Sequence, residues 1–284
     1  MSRIAIMQGR LVPPEAGRFQ SFPREGWRRE FPFAAAAGLD AIEWIYDAFG
    51  EDVNPLASDE GILEMSRLGE RHGVAVVSVC ADYFMDYPFL RVSTDERARL
   101  VEKLRWLLTR CGAAGISRVV LPFVDQSRIE TDDEVTTVVE VLEQTLPIAQ
   151  RHGIELHLET ALGPQAFAAL LNRAPHPQLK VNYDSGNSAS LGYRPVEEFA
   201  AYGARIGSVH IKDRVRGGGT VPLGSGNADL TAVFDGLHAL GYQGDYVLQV
   251  ARGEPGAEVA LAQSNVAFVA ERLRRLSPTA EGRR

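Results

Sequence analysis

Cysteine is scarce in this chain: only Cys80 and Cys111 occur in 284 residues. They stand apart rather than as a C-x-x-C pair, which speaks against a disulfide framework or a thiolate-rich zinc module. Both read as small buried hydrophobes in a reducing compartment. No apolar run approaches the roughly 18 residues of a membrane helix. The start, Met1-Ser2-Arg3-Ile4, passes straight into a strand-like segment without the pattern of a secretory leader. A cytoplasmic protein with no membrane partner is expected. A basic face is missing as well, because 30 Lys and Arg stand against 37 Asp and Glu for a net charge of −7. Nucleic-acid binders take most of their affinity from phosphate contacts, so no nucleic-acid partner is expected. The basic stretch Arg272–Arg284 reads as a helix end running into a disordered tail at 277–284.

What the chain does have is alternation. Strand-like runs lie at Ile4–Gln8, Ala41–Tyr46, Val74–Cys80, Ser117–Pro122, Ile154–Glu159, Leu179–Asp184, Gly207–Lys212 and Tyr246–Val250. Each is followed by a helical pattern, several of them opened by Ser or Thr caps and closed by glycine, as at Ser58 to Gly73 or Thr131 to Gly153. Pro32 interrupts the first helix, Trp27–Ala37, so the start could lie at the proline instead. Eight such units predict an α/β protein, a single closed (β/α)8 TIM barrel over residues 1–276. An open doubly wound sheet is the runner-up. It requires a G-x-G-x-x-G after an early strand, and Gln8-Gly9-Arg10 is not one.

In such a barrel the chemistry sits at the C-terminal ends of the strands. Side chains two apart share a face, which pairs His157 with Glu159, Asn182 with Asp184 and His210 with Lys212. Glu159, Asp184, His210 and Gln249 then close four successive strands. Two carboxylates, an imidazole and an amide oxygen make a hard site that suits one divalent ion, Mn²⁺ first, with Mg²⁺, Co²⁺ or Zn²⁺ as alternatives. Around it, Gln8, Arg10, Asn187, Arg214 and Arg252 are candidate substrate contacts. Lys212 and Glu43 are candidate catalytic groups beside Glu159. Asp213 reads as fixing its loop, and His157 as packed one layer below. Phe19, Phe22, Trp27, Tyr83, Phe84 and Tyr87 are candidates for a sugar-stacking wall.

Several motifs in order carry a family resemblance: Met7-Gln8-Gly9-Arg10-Leu11, Gly38-Leu39-Asp40-Ala41-Ile42-Glu43-Trp44, His157-Leu158-Glu159-Thr160, Asp184-Ser185-Gly186-Asn187, Val209-His210-Ile211-Lys212-Asp213 and Leu223-Gly224-Ser225-Gly226. With them the chain resembles, over nearly its whole length, the xylose-isomerase-like barrel superfamily in its sugar (phosphate) isomerase/epimerase branch. The resemblance implies a carbohydrate substrate, a homodimer or homotetramer, and one metal held by Glu, Asp, His and Glu on strands five to eight. Three of these carry over to Glu159, Asp184 and His210, while the fourth position holds Gln249.

In the ketose 3-epimerases of that branch, the strand-five and strand-eight glutamates form an acid/base pair. Here the resemblance assigns Glu159 as the base and leaves the second carboxylate missing, because an amide cannot exchange a proton at neutral pH. Glu43, Lys212 or a metal-bound water are the stand-ins, unless the reaction needs one base only. The expected activity is sugar or keto-sugar isomerisation or epimerisation by proton abstraction beside a polarised carbonyl. A lyase or dehydratase acting on a keto-sugar, keto-glycoside or inosose is the alternative. A non-catalytic sugar-binding barrel ranks lower. So does an AP-endonuclease-like nuclease, since His72, His152, His176 and His238 of the six histidines fall on helices, helix ends or connectors.

Overall fold

A computed structural model describes residues 2–276 of the chain; the expected tail, 277–284, lies outside the described residues. Eight parallel strands close on themselves: β1 Ile4–Met7, β2 Ala41–Ile45, β3 Ala75–Cys80, β4 Arg118–Phe123, β5 Glu155–Thr160, β6 Leu179–Asp184, β7 Ile206–Ile211 and β8 Tyr246–Leu248. Their order around the ring is that of the sequence, with β8 pairing β1 through Ile6 and Leu248. The outer helices are α1 Trp27–Ala36, α2 Asp59–His72, α3 Thr94–Ala113, α4 Asp132–Arg151, α5 Pro164–Arg173, α6 Pro195–Tyr202, α7 Leu230–Ala239 and α8 Glu258–Leu276. The eight βα units read from the sequence are all present.

Local chemistry sets the boundaries. Ser58 and Ser93 cap α2 and α3 by accepting Gly61 and Glu96 N–H groups, and Thr131 with Glu134 closes a reciprocal capping box on α4. Pro32 lies inside α1 and does not start it. The first turn holds because Trp27 N–H donates to Pro23 O and because Trp27, Glu30 and Phe31 are buried. The apolar core fills the space between strands and helices, while Ala5, Ala41, Val77 and Val247 form a separate small cluster of buried side chains. Trp44 on β2 anchors the first helix, with its ring 5.7 Å from Trp27 and 6.1 Å from Phe31.

One core contact is electrically costly. Glu30 on α1 is fully buried, and its Oε1 accepts the Gly9 N–H at 2.6 Å. Gly9 has φ +80°, and a side chain there would press on Ser21 O. Burial pushes the Glu30 carboxyl up to about 8, against the lowering effect of that backbone bond. Its folded pKa lies above the unfolded value, so this group stabilises the fold at low pH and loses that contribution as pH rises to about 8. Replacing Glu30 by Gln removes the titration. Denaturant unfolding should therefore move in favour of the variant by about 2–4 kcal/mol between pH 5 and pH 8.5. A parent-to-variant difference that is flat with pH would show that Glu30 is ionised in the fold.

Candidate active site

The C-terminal ends of β5, β6 and β7 bring Glu159, Asp184 and His210 together. One ligand atom from each lies within 4.8 Å of the others, and all three side chains are buried. The His210 Nδ1 edge faces this cluster, 3.4 Å from Glu159 Oε2 and 3.9 Å from Asp184 Oδ2. Asp184 divides its carboxylate between two tasks. Its Oδ1 accepts the Gly186 and Asn187 N–H groups at 2.8 Å and caps the short helix Ser185–Leu191, which leaves Oδ2 to the cluster. Glu159 is oriented at both oxygens, by Asn187 Nδ2 at 2.6 Å and Asn182 Nδ2 at 2.8 Å. Behind them Ser208 Oγ donates to Asn182 Oδ1, and His157 Nδ1 lies 2.7 Å from the same hydroxyl.

The donor set fits a divalent cation. Two carboxylate oxygens and an imidazole nitrogen are gathered in a buried place that draws positive charge. Burial alone would discharge His210, yet Glu43 and Glu159 outweigh it and lift the imidazole to about 10. Burial would raise the Glu159 carboxyl, but the His210 imidazolium, with Lys212 and Asn182, holds it below the usual carboxylate range. Lys212 Nζ reaches into the cluster, 3.4 Å from Asp184 Oδ2 and 2.9 Å from Gln249 Oε1. Its stem packs where a side chain at position 186 would be, 2.6 Å from a Cβ built there, so Gly186 is the residue that lets it pass.

Beside the cluster lies a cavity of about 440 Å³, with Glu159, Lys212, Gln249, Asn187, Arg214 and Asp82 in its wall. The amide of Gln249, the expected fourth ligand, is used at both ends. Its oxygen accepts from Lys212, and its Nε2 donates to Gln20 Oε1 at 3.1 Å. Gln20 in turn donates through Nε2 to Asp82 Oδ2 at 2.8 Å. Arg214 Nη1 donates to Asn187 Oδ1 at 2.7 Å, which completes a line from Arg214 through Asn187 to Glu159.

The structure places the remaining expected residues elsewhere. Glu43 does not reach the cavity wall. It is fully buried behind His210, with Oε1 2.5 Å from His210 Nε2 and Oε2 accepting from Ser78 Oγ at 2.6 Å. So placed, Glu43 contacts His210 and Ser78 rather than the cavity where a base was expected. Gln8 is also fully buried, and its Oε1 stitches β1 to β2 by accepting the Ile45 N–H.

Arg10 and Arg252 hold down the first loop instead of facing a ligand. Arg10 donates to Val250 O, Phe19 O and Gln20 Oε1, and Arg252 to Phe19 O and Val12 O. Burial, helped by the neighbouring Arg252, brings Arg10 down to about 9. The aromatic wall reduces to Phe19. Phe22, Trp27 and Phe84 are buried in the core, while Tyr83 and Tyr87 pack on each other with ring centroids 5.0 Å apart. Asp213 fixes its loop, accepting the Gly224, Gly226 and Ala228 N–H groups.

Two polar residues of the cavity were given no role by the sequence. Asp82 is the polar residue expected at the mouth after strand three, and it lies two residues past the end of β3 at Cys80. Gln20 lies in an irregular loop where no periodicity marks it.

Comparison with known proteins agrees with this architecture. Residues 31–272 match the family model described as xylose isomerase-like TIM barrel. A curated L-ribulose-5-phosphate 3-epimerase, UlaE of Escherichia coli, is 27% identical over 256 residues, covering 84% of this chain and 88% of its own. Among solved structures, an L-ribulose 3-epimerase superposes with a TM-score of 0.75 at 21% identity, over 97% of this chain and 96% of that one. The IOLI protein with a bound zinc atom gives a TM-score of 0.77 at 17% identity, over 98% and 100% of the two chains.

Proposed function

The chain belongs to the xylose isomerase-like TIM barrel family, and from that premise we propose that it is a sugar isomerase or epimerase dependent on a divalent metal ion. The observation that carries this reading is the convergence of Glu159, Asp184 and His210 beside a cavity large enough for a monosaccharide. The relatives named as 3-epimerases of L-ribulose and of its 5-phosphate point to a ketose or ketose phosphate as the substrate class. Mn²⁺ is the first choice of ion, with Mg²⁺, Co²⁺ and Zn²⁺ as alternatives, and Glu159, Asp184 and His210 would hold it.

When bound, the ion supplies Lewis acidity toward the ketone oxygen and its neighbouring hydroxyl. The chain's own groups do the rest. Glu159, held by Asn182 and Asn187, removes the proton from the carbon beside the carbonyl. Lys212 places its charge beside the oxygen that becomes negative as that proton leaves. Asn187 and Arg214 bind and orient the sugar from the β6 and β7 loops.

The test is hydrogen exchange. Ketopentoses and ketohexoses, free and phosphorylated and including L-ribulose and L-ribulose 5-phosphate, are incubated in D₂O with protein whose metal content has been measured. The expected result is deuterium at a carbon next to the carbonyl, with product and substrate equal in mass apart from the label. Metal-loaded protein that exchanges no such proton in the panel would refute the proposal. Loss of the mass of water would move the protein to the eliminating enzymes.

A further inference from the structure

Strand eight offers no carboxylate to the cavity, but the turn just after strand three does, at Asp82. We propose that Asp82 is the second proton carrier of this site and that the enzyme epimerises its substrate with Glu159 and Asp82 as an acid/base pair; this rests on the function proposed above. Asp82 follows β3 and shares the cavity wall with Glu159, near the end of β5 two strands further round the ring. The two carboxyl groups thus line one cavity from non-adjacent strands of the ring, and the proposal assigns them to the two faces of the reacting carbon.

What holds Asp82 there is the residue that replaces the expected glutamate. Gln249 Nε2 donates to Gln20 Oε1, and Gln20 Nε2 donates to Asp82 Oδ2. A glutamate at 249 has no hydrogen to give Gln20 at neutral pH, so the amide is what this chain of contacts needs. On its other side Asp82 Oδ1 accepts from Cys80 Sγ at 3.1 Å. Burial raises the Asp82 carboxyl to about 6, with Gln20 and Cys80 opposing and Asp47 and Glu159 adding to the rise. A carboxyl in that range can hold a proton and release it near neutrality.

The step balances. Glu159 takes the carbon-bound proton from one face, and the C–H electron pair moves into the enediolate of the substrate. Asp82, protonated, gives its proton to the same carbon from the other face and becomes a carboxylate. Glu159 is left protonated, and the two groups return to their starting states by exchange with water in the cavity.

The experiment follows two readouts in D₂O with the ketose panel above: exchange of the substrate proton and formation of the epimer. In Asp82→Asn, exchange through Glu159 should stay within about threefold of the parent, while epimer formation falls by about 100-fold or more. In Asp82→Ala, added formate should restore epimer formation in proportion to its concentration and leave exchange unchanged, which a misfolded variant could not do. Parallel loss of exchange and epimer in both variants without formate rescue, or epimer formation unaffected in Asp82→Asn, would overturn the role of Asp82 alone. A parent protein that exchanges no proton would overturn the proposed function and this inference with it.

Discussion

Glu159→Gln should abolish turnover while the barrel stays folded. The side chain keeps its length and its two-atom terminus, so the change leaves no void. Its amide cannot take a proton from carbon, and loss of a positioned base costs about 10²–10⁴ in rate. A second loss adds to this. Both Glu159 oxygens now accept from amide donors, Asn187 Nδ2 and Asn182 Nδ2. A glutamine must turn its own N–H₂ toward one of them, and such a donor facing a donor costs about 1–3 kcal/mol. Removing one negative charge also weakens the cation site. We expect turnover down by about 10³-fold or more at saturating metal. Metal content by atomic spectroscopy and melting by circular dichroism separate chemistry from folding. Activity within a few-fold of the parent, with metal bound, would show that Glu159 is not the base.

The barrel was legible because its signals are local. Val74–Cys80 and Ile154–Glu159 are unbroken β-prone runs, and Gly73 and Gly153 stop the helices before them, so the observed strands differ from those expected by one or two residues. Strand parity likewise placed Glu159, Asp184 and His210 on the inward face, since it follows from the pleat alone. Depth within the barrel does not follow from parity. Glu43 satisfies the same rule, yet it lies in a layer closed over by His210, and only the three-dimensional stagger of β2 against β7 decides that.

Loop chemistry was less readable still. Arg10 and Arg252 are both cations near strand ends, the usual sign of an anion site. They are consumed by the carbonyls of Val12, Phe19 and Val250, which no spacing in the sequence announces. The same first loop carries Gln20, which ties Asp82 to Gln249 across residues 62 and 229 positions away in the chain. Reading Gln249 as a lost glutamate was therefore incomplete, because the amide has a partner that a glutamate would not satisfy.

The layer behind the site is expected to matter nearly as much as the site. Glu43 and His210 are both fully buried, 2.5 Å apart, and Ser78 donates to the free Glu43 oxygen. Burial opposes charge on Glu43, but His210 and Ser78 prevail and keep its carboxyl below the usual range. Glu43→Ala leaves the imidazole and the hydroxyl of Ser78 without a partner around a new void. Removing one member of a buried charged pair costs about 3–5 kcal/mol, so denaturant unfolding should show a loss of that size.

Glu43→Gln is the milder probe. The amide fills the same volume and can still accept from His210, but the charge that fixes the ring and makes its Nδ1 edge a better donor to a cation is gone. Substitution behind a metal-binding histidine typically lowers metal affinity about 10–100-fold, and titration of the metal-free variant with Mn²⁺ against the parent measures it. Unchanged Mn²⁺ affinity in Glu43→Gln, with the fold intact, would mean that the ring is set by packing and Asn182, whose Nδ2 lies 3.1 Å from His210 Nδ1, and that Glu43 serves only the core.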